Sequence, residues 1–234
     1  MSRPRLLPAK LLPSRLLGGN PPGSPRPVVA AGVQLGHAGR PSSRPTLTIA
    51  LFDNSGSVVA PSGTDPASQR FAEVERAFEL VARSGTSGEL AAVLHFDSPC
   101  SGDVLPVPLT RRGLEQLRSG LRLPPDGAGS SVLAPSLARA VALAQTHPDH
   151  AATLVLLSDF QLLDSDPLAV LASLAAFPGQ VHAVVLDHQI DTALFPPGVT
   201  ISRIGDRAQP GAVARALFAS LVAHRPGSWV RPEP

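Results

Sequence analysis

Leu47-Thr48-Ile49-Ala50-Leu51-Phe52-Asp53-Asn54-Ser55-Gly56-Ser57 decides the fold. Six mostly apolar residues end abruptly in a carboxylate and a run of small polar residues. A short apolar run bounded by turn formers reads as a strand buried on both faces. The D-x-S-x-S turn can aim one carboxylate and two hydroxyls at a common point, with Gly56 permitting a tight backbone.

Moving outward, strands alternate with helices. Asp65-Pro66 predicts a helix N-terminus, followed by Phe71, Val74, Phe78 and Val81 at helical spacing. Leu90–Phe96 reads as a second strand and Val104–Leu109 as an antiparallel hairpin partner. Leu114, Leu117 and Leu121 mark one helix, and Leu133, Leu137, Val141 and Ala144 another. Ala152–Leu157 is the most apolar strand and ends at Ser158-Asp159. Asp166-Pro167 opens a helix carrying Leu168, Leu171 and Leu174. Val181–Leu186 and Val199–Ile204 are further strands, and Val213, Leu217 and Leu221 mark the last helix. The expected fold is α/β: a doubly wound, mostly parallel sheet with one antiparallel edge strand and helices on both faces. In the strand order 3-2-1-4-5-6, the first and fourth strands flank the topological switch point where ligands bind. Asp53 and Asp159 then face each other across one crevice.

Charge divides the chain. Of 234 residues, 43% are hydrophobic and 16% charged, and the formal net charge is +2. Seven Lys/Arg and no Asp/Glu precede Thr46, leaving 13 Lys/Arg against 18 Asp/Glu in the remainder. Nine prolines fall in the same N-terminal stretch. Residues 1–45 therefore read as a basic, Pro/Arg-rich, disordered tail that is dispensable for folding, with Val28–Leu35 as a candidate edge strand. Residues 46–224 read as the folded domain and 225–234 as a frayed end. Cys100 is the only cysteine, which excludes an intrachain disulfide and a multi-thiolate zinc site. No run of about 18 apolar residues predicts a membrane span. No secretory leader is expected from the N-terminus, and its prolines oppose the amphipathic helix of a transit peptide, so the expected location is cytoplasmic. No aromatic residue interleaves the tail arginines, so nucleic acid could engage only through phosphate contacts to the tail.

Gly129-Ser130-Ser131 adds a second hydroxyl cluster. Asp53, Ser55, Ser57, Ser131 and Asp159 form an all-oxygen set suited to a hard cation. At these residues the chain resembles the von Willebrand factor A domain family and its metal-ion-dependent adhesion site, written DxSxS, then Thr, then Asp. Asp53, Ser55 and Ser57 match the first element, Ser131 stands at the Thr, and Asp159 matches the last. Val58 departs from a frequent Met, Gly-Ser-Ser from Gly-Gly-Thr, and Phe160 from a glycine, which is expected to narrow the rim. The resemblance covers residues 46–224. It implies Mg²⁺ or Mn²⁺ bound directly by three hydroxyls, with Asp53 and Asp159 acting largely through waters. It also implies a non-enzymatic module gripping an Asp or Glu of a partner protein, within an intracellular assembly such as one containing an AAA+ ATPase. The competing class is a metal-dependent hydrolase or nuclease of the haloacid-dehalogenase-like or PIN-like kind. The first lacks its second carboxylate, since that position is Ser55. The second would recruit Glu73, Glu75 and Asp97. His147-Pro148-Asp149-His150 has a spacing seen in metal sites but a turn context. His95 and His182 read as satisfied sheet histidines, Asp164-Ser165-Asp166 as a helix start, and Asp187 and Asp191 as a solvated loop.

Overall fold

The computed structural model describes residues 33–65, 67–126, 129–186, 190–205 and 208–232. In chain order the elements are β1 (Gly36–His37), β2 (Thr46–Phe52), α1 (Gly56–Val59), α2 (Gln69–Ala82), β3 (Glu89–His95), β4 (Val104–Pro108), α3 (Arg111–Gly120) and α4 (Ala134–Gln145). There follow β5 (Ala151–Ser158), α5 (Pro167–Ser173), β6 (Gln180–Val185), β7 (Thr200–Arg203), α6 (Ala212–Val222) and β8 (Trp229–Val230). Two short 3₁₀ turns cover Leu174–Ala176 and Thr192–Leu194.

The main sheet has the order β4-β3-β2-β5-β6-β7. Only the β3–β4 pair is antiparallel. This is the expected doubly wound topology, with β2 and β5 paired at its centre from Thr46↔Ala151 to Phe52↔Leu157. Successive side chains of a strand point to opposite faces, and here both faces are covered. Ala50, Phe52, Val93, Val155 and Leu157 pack with α2, α3 and α6. Ile49, Leu51, Leu94, Leu154 and Leu156 pack with α4, α5 and Phe177. That is why β2 and β5 read as continuous apolar runs rather than alternating ones.

Helix α2 starts later than the Asp65-Pro66 signal implies. Pro66 lies outside the described residues. The Asp65 carboxylate still caps the helix, accepting from Gln69 N at 2.8 Å and Arg70 N at 3.3 Å. The Glu73 carboxylate, buried on α2, accepts from Gly211 N at 2.8 Å and Ala214 N at 3.0 Å, so one helix satisfies the free amides of the other.

The two chain ends correct the sequence reading. Residues 33–45 and 225–232 fold onto the body, so neither a tail reaching residue 45 nor a frayed end from 225 describes them. β1 pairs antiparallel with β8, Gly36↔Val230 and His37↔Trp229. Gly36 has φ +133°, and a Cβ there would lie 2.1 Å from Trp229 O, so only glycine fits. Leu35 is 2% exposed in the core beneath α2 and α6. Arg225 is buried, and it donates to Ala38 O at 2.7 Å, Glu89 Oε1 at 2.7 Å and Ser84 Oγ at 2.7 Å. Of the expected edge strand Val28–Leu35, residues 33–35 are not strand and residues 28–32, like the rest of 1–32, lie outside the described residues; Gly36–His37 pairs only with β8, apart from the main sheet.

Candidate functional site

The candidate residues gather at the C-terminal ends of β2 and β5, where the expected crevice would lie. After Phe52 the chain leaves the sheet with Asp53 N still bonded to Leu157 O at 3.0 Å. The D-x-S-x-S turn then becomes α1, a four-residue helix that the sequence reading treats only as a turn. Its start is set by Asp53, whose Oδ1 accepts from Ser55 N at 2.8 Å. The Asp53 Oδ2 accepts from Ser158 Oγ at 2.5 Å, and the Ser158 hydroxyl accepts in turn from Phe160 N at 2.7 Å. Ser55 Oγ and Ser57 Oγ stand 2.9 Å apart and share one hydrogen bond.

The Ser131 loop is tied to this turn from two sides. Gly129 N donates to Asn54 O at 3.0 Å, and Leu163 N, from the loop after Asp159, donates to Ser131 O at 3.1 Å. Asp164 accepts from Leu133 N and Ala134 N, both at 2.9 Å, and so fixes the helix that follows Ser131. All five sequence-predicted site residues are thus gathered at one end of two paired strands. Asp53, Ser55, Ser131 and Asp159 are each at most 4% exposed.

Asp159 Oδ1 accepts from Gln161 N at 3.1 Å, but its buried Oδ2 has no hydrogen-bond partner. Buried carboxylate oxygens without partners are costly. Burial raises the Asp53 carboxyl above its ordinary value, with hydrogen bonds from Ser158 and Ser55 opposing and the Asp159 charge adding a smaller push in the same direction. A cation between the carboxylates would relieve both strains. The donors fit a hard ion, all being oxygen. Among the described residues no group of three or more His, Cys, Asp and Glu is placed to hold a metal, so an ion here would depend on the hydroxyls.

The sequence reading missed the support beneath the turn. Arg70, 1% exposed, donates to Asp65 Oδ2 at 2.6 Å, Asn54 Oδ1 at 2.9 Å and Asp53 O at 3.0 Å. With Oδ1 so occupied, Asn54 Nδ2 donates to His95 Nδ1 at 2.8 Å. His95 must then carry its proton on Nε2, which donates to Gly120 O at 3.0 Å. Phe52 and Phe71 wall this chain, with Phe52 stacked on His95 at 5.6 Å. A sequence signal existed. Arg70 and Glu73 fall in the buried stripe of Val74, Ala77 and Val81, where a charged residue needs a partner.

Phe160 corrects another expectation. Its ring does not narrow the rim: it is 6% exposed and packs edge-on against Phe195 at 4.9 Å. Its φ of +58° lies in the left-handed region that favours glycine, a conformation that costs a bulky residue about 1 kcal/mol or more. Packing below the crevice holds it there.

The other candidates disperse. Glu73 caps α6, Glu75 pairs with Arg118 at 2.6 Å, and Asp97 is exposed after β3, so the carboxylates a PIN-like nuclease would need do not converge. His147 and His150 meet edge-to-face at 5.4 Å at the opposite end of β5. His182 is satisfied by Ser220 Oγ at 2.7 Å and Ser202 Oγ at 2.9 Å. Asp166 caps α5 through Ala169 N and Asp191 caps a 3₁₀ turn through Ala193 N. Asp187 lies outside the described residues. No helix is long and apolar enough to cross a membrane among the described residues.

His95 makes the site acid-labile. Burial pushes its pKa down to about 4 from an ordinary 6.5, with the Gly120 carbonyl opposing only in part. Between these values the unfolded chain binds the proton and the folded chain does not. Stability is therefore complete above pH 6.5 and falls as pH drops toward 4, by roughly 3 kcal/mol. His182, also pushed down by burial, adds in the same direction. The raised Asp53 acts oppositely, since acidification relieves it. Denaturant unfolding at pH 7 and pH 4.5 should show this slope, and His95→Gln should flatten it. An equal slope in the variant would place the lability elsewhere.

No family model matches the sequence, and no curated protein matches it. Solved structures do match its fold. A von Willebrand factor type A protein from Catenulispora acidiphila is 15% identical with a TM-score of 0.53, over 81% of this chain and 48% of that one. The pilus adhesin SpaC from Lactobacillus rhamnosus GG is 13% identical with a TM-score of 0.53, over 79% of this chain and 31% of the adhesin. Proximal thread matrix protein 1 from the mussel byssus is 14% identical with a TM-score of 0.52, over 77% of this chain and 48% of that one. The chain spans less than half the length of each. The fold is that of a von Willebrand factor A domain.

Proposed function

We propose that this chain is a non-enzymatic protein-interaction module whose crevice holds Mg²⁺ or Mn²⁺ and takes an Asp or Glu of a partner protein. The observation that carries the reading is the buried, partnerless Asp159 Oδ2 beside a raised Asp53, in a set of oxygens only. Ser55, Ser57 and Ser131 would offer hydroxyl oxygens, with Asp53 and Asp159 balancing the charge. A divalent ion bound there supplies an electrophilic centre for an incoming carboxylate. The chain's own part is to hold the donors still. Ser158 and the Ser55 amide fix both Asp53 oxygens, and the Gly129 and Leu163 amides fix the Ser131 loop. A cytoplasmic setting and a multiprotein assembly, including one with an AAA+ ATPase, belong to the same proposal.

Calorimetry of the full chain with Mg²⁺ and Mn²⁺ tests it. The wild type should bind one ion saturably, and Ser55→Ala with Ser57→Ala should weaken it tenfold or more, about 1.4 kcal/mol. The double variant should melt within a few degrees of wild type, because small polar side chains add about 1 kcal/mol or less. Equal ion responses in wild type and Asp53→Ala would remove the ion from the reading. Metal-dependent phosphodiester or phosphomonoester hydrolysis, lost in Asp159→Ala, would replace the reading with an enzyme.

A further inference from the structure

The chain is electrostatically divided more sharply than its net charge shows. Residues 140–202 contain six Asp and no Lys or Arg, whereas residues 1–45 contain seven Lys/Arg and no acid. The acidic segment also supplies three of the large apolar side chains that stand exposed: Leu163 at 74%, Leu168 at 60% and Leu194 at 43%. Leu163 and Leu168 flank Asp164 and Asp166 on the loop and first turn of α5. Leu194 and Asp191 lie on or beside the 3₁₀ turn Thr192–Leu194, against which α5 packs. Arg203 lies at its margin, its guanidinium donating to Ile190 O and Thr192 Oγ1. This face combines exposed leucines with carboxylates, which a soluble surface seldom leaves uncovered.

The N-terminal sequence carries the complementary pattern. Arg5-Leu6-Leu7-Pro8-Ala9, Lys10-Leu11-Leu12-Pro13-Ser14 and Arg15-Leu16-Leu17-Gly18-Gly19 are three successive pentads, each a cation followed by two leucines. The described chain begins at Val33, which packs against Gly211 at the start of α6, just beyond β7. In a parallel sheet the loops after β5, β6 and β7 lie on one edge, so Val33 enters on the edge that carries Leu163 and Leu194. The sixteen residues from Leu17 to Val33 can span at most about 50 Å, and a domain of this size is about 40 Å across. We propose that residues 5–17 dock on the leucine and aspartate face of α5 and the Thr192–Leu194 turn of the same molecule. The leucine pairs cover the exposed leucines, and Arg5, Lys10 and Arg15 face Asp164, Asp166 and Asp191. Tethering makes the contact intramolecular, at an effective concentration of order millimolar. It stands apart from the ion reading, because it uses none of the crevice oxygens.

Paramagnetic relaxation tests it on the full chain. In a Cys100→Ser background, Ser14→Cys carries a nitroxide and leucine methyls are observed. The methyls of Leu163, Leu168 and Leu194 should broaden several-fold more than that of Leu105, exposed on β4 at the far edge of the sheet. Arg5→Glu with Lys10→Glu and Arg15→Glu should abolish the difference. Uniform broadening, broadening retained in the charge-reversed variant, or broadening only between labelled and unlabelled molecules would overturn the proposal. So would a label that leaves these methyls untouched but binds phosphatidylserine vesicles.

Discussion

Arg225→Met is expected to destabilise the protein by about 3–5 kcal/mol, the cost of removing one partner from a buried ion pair. Arg225 and Glu89 are each 3% exposed, and Arg225 also holds the carbonyl of Ala38 and the hydroxyl of Ser84. Methionine restores much of the apolar stem but leaves Glu89 with only the amides of Ser42 at 3.3 Å and Thr86 at 3.2 Å. For a domain of this size the melting temperature should fall by about 10 °C. Adding Glu89→Gln should recover part of the loss, since the stranded charge is removed. Hydrogen exchange would locate the damage: the Arg231 amide, bonded to Leu35 O at 2.8 Å, should lose protection before the amides of β2 and β5. A chain beginning at residue 33 should lose only what docking of the N-terminal segment adds, whereas one beginning at residue 40 also loses Leu35, β1 and the Ala38 acceptor. Equal melts for both truncations would show that the terminal strand pair contributes nothing.

What the sequence made legible follows from which forces act locally. β2 and β5 are buried on both faces, so burial alone writes them as apolar runs. The stripes of α2, α4 and α6 repeat at helical spacing because one side of each helix meets the sheet. Asp53, Ser55, Ser57 and Asp159 come together for a related reason: the ends of β2 and β5 at the switch point are fixed by topology, whereas Ser131 lies in the loop between α3 and α4 and is brought in by the Gly129 and Leu163 amides. The β1–β8 pair could not be read this way. Each strand has two residues, too few for a period, and the partners are about 190 positions apart. The start of α2 also escaped, because Asp65 caps it from four residues upstream. Phe160 is a different case. Nothing in a propensity marks a phenylalanine for positive φ; its amide bond to Ser158 Oγ and its packing against Phe195 hold it there.

The supports of the site were hidden for yet another reason. Ser158, Asn54 and His95 act through hydrogen bonds to residues distant in sequence, and such bonds leave no periodicity. The Asp53–Ser158 bond spans 105 positions and the Asn54–His95 bond 41. Composition alone cannot separate these residues from ordinary turn formers. Only the charged residues in a buried stripe, Arg70 and Glu73, break a rule that a sequence can show.

Arg70→Met should cost as much stability as Arg225→Met and should also disturb the crevice. The guanidinium ties Asp65, which caps α2, to both the Asp53 carbonyl and the Asn54 side chain. Its loss strands a carboxylate that is mostly buried and leaves two buried acceptors without donors, again about 3–5 kcal/mol. Arg70→Lys separates charge from geometry. Lysine keeps the positive charge but is a point donor and cannot bridge Asp65 and Asn54 as the planar fork does. It should recover the Asp65 contact and part of the stability. The Asn54 amide, no longer held by its oxygen, is then free to turn, and the proton of His95 is no longer confined to Nε2. The ¹⁵N shifts of the His95 ring would report that change directly, and a merely structural role for Arg70 would leave them alone. If ion binding follows the crevice reading, both variants should weaken it, because Arg70 holds the Asp53 carbonyl and the Asn54 side chain of the turn whose main-chain carbonyl, Asn54 O, anchors Gly129 and through it the Ser131 loop. A Lys variant with unchanged His95 shifts and unchanged ion affinity would mean that the D-x-S-x-S turn is held by its own Asp53 bonds, and that Arg70 serves only the helix.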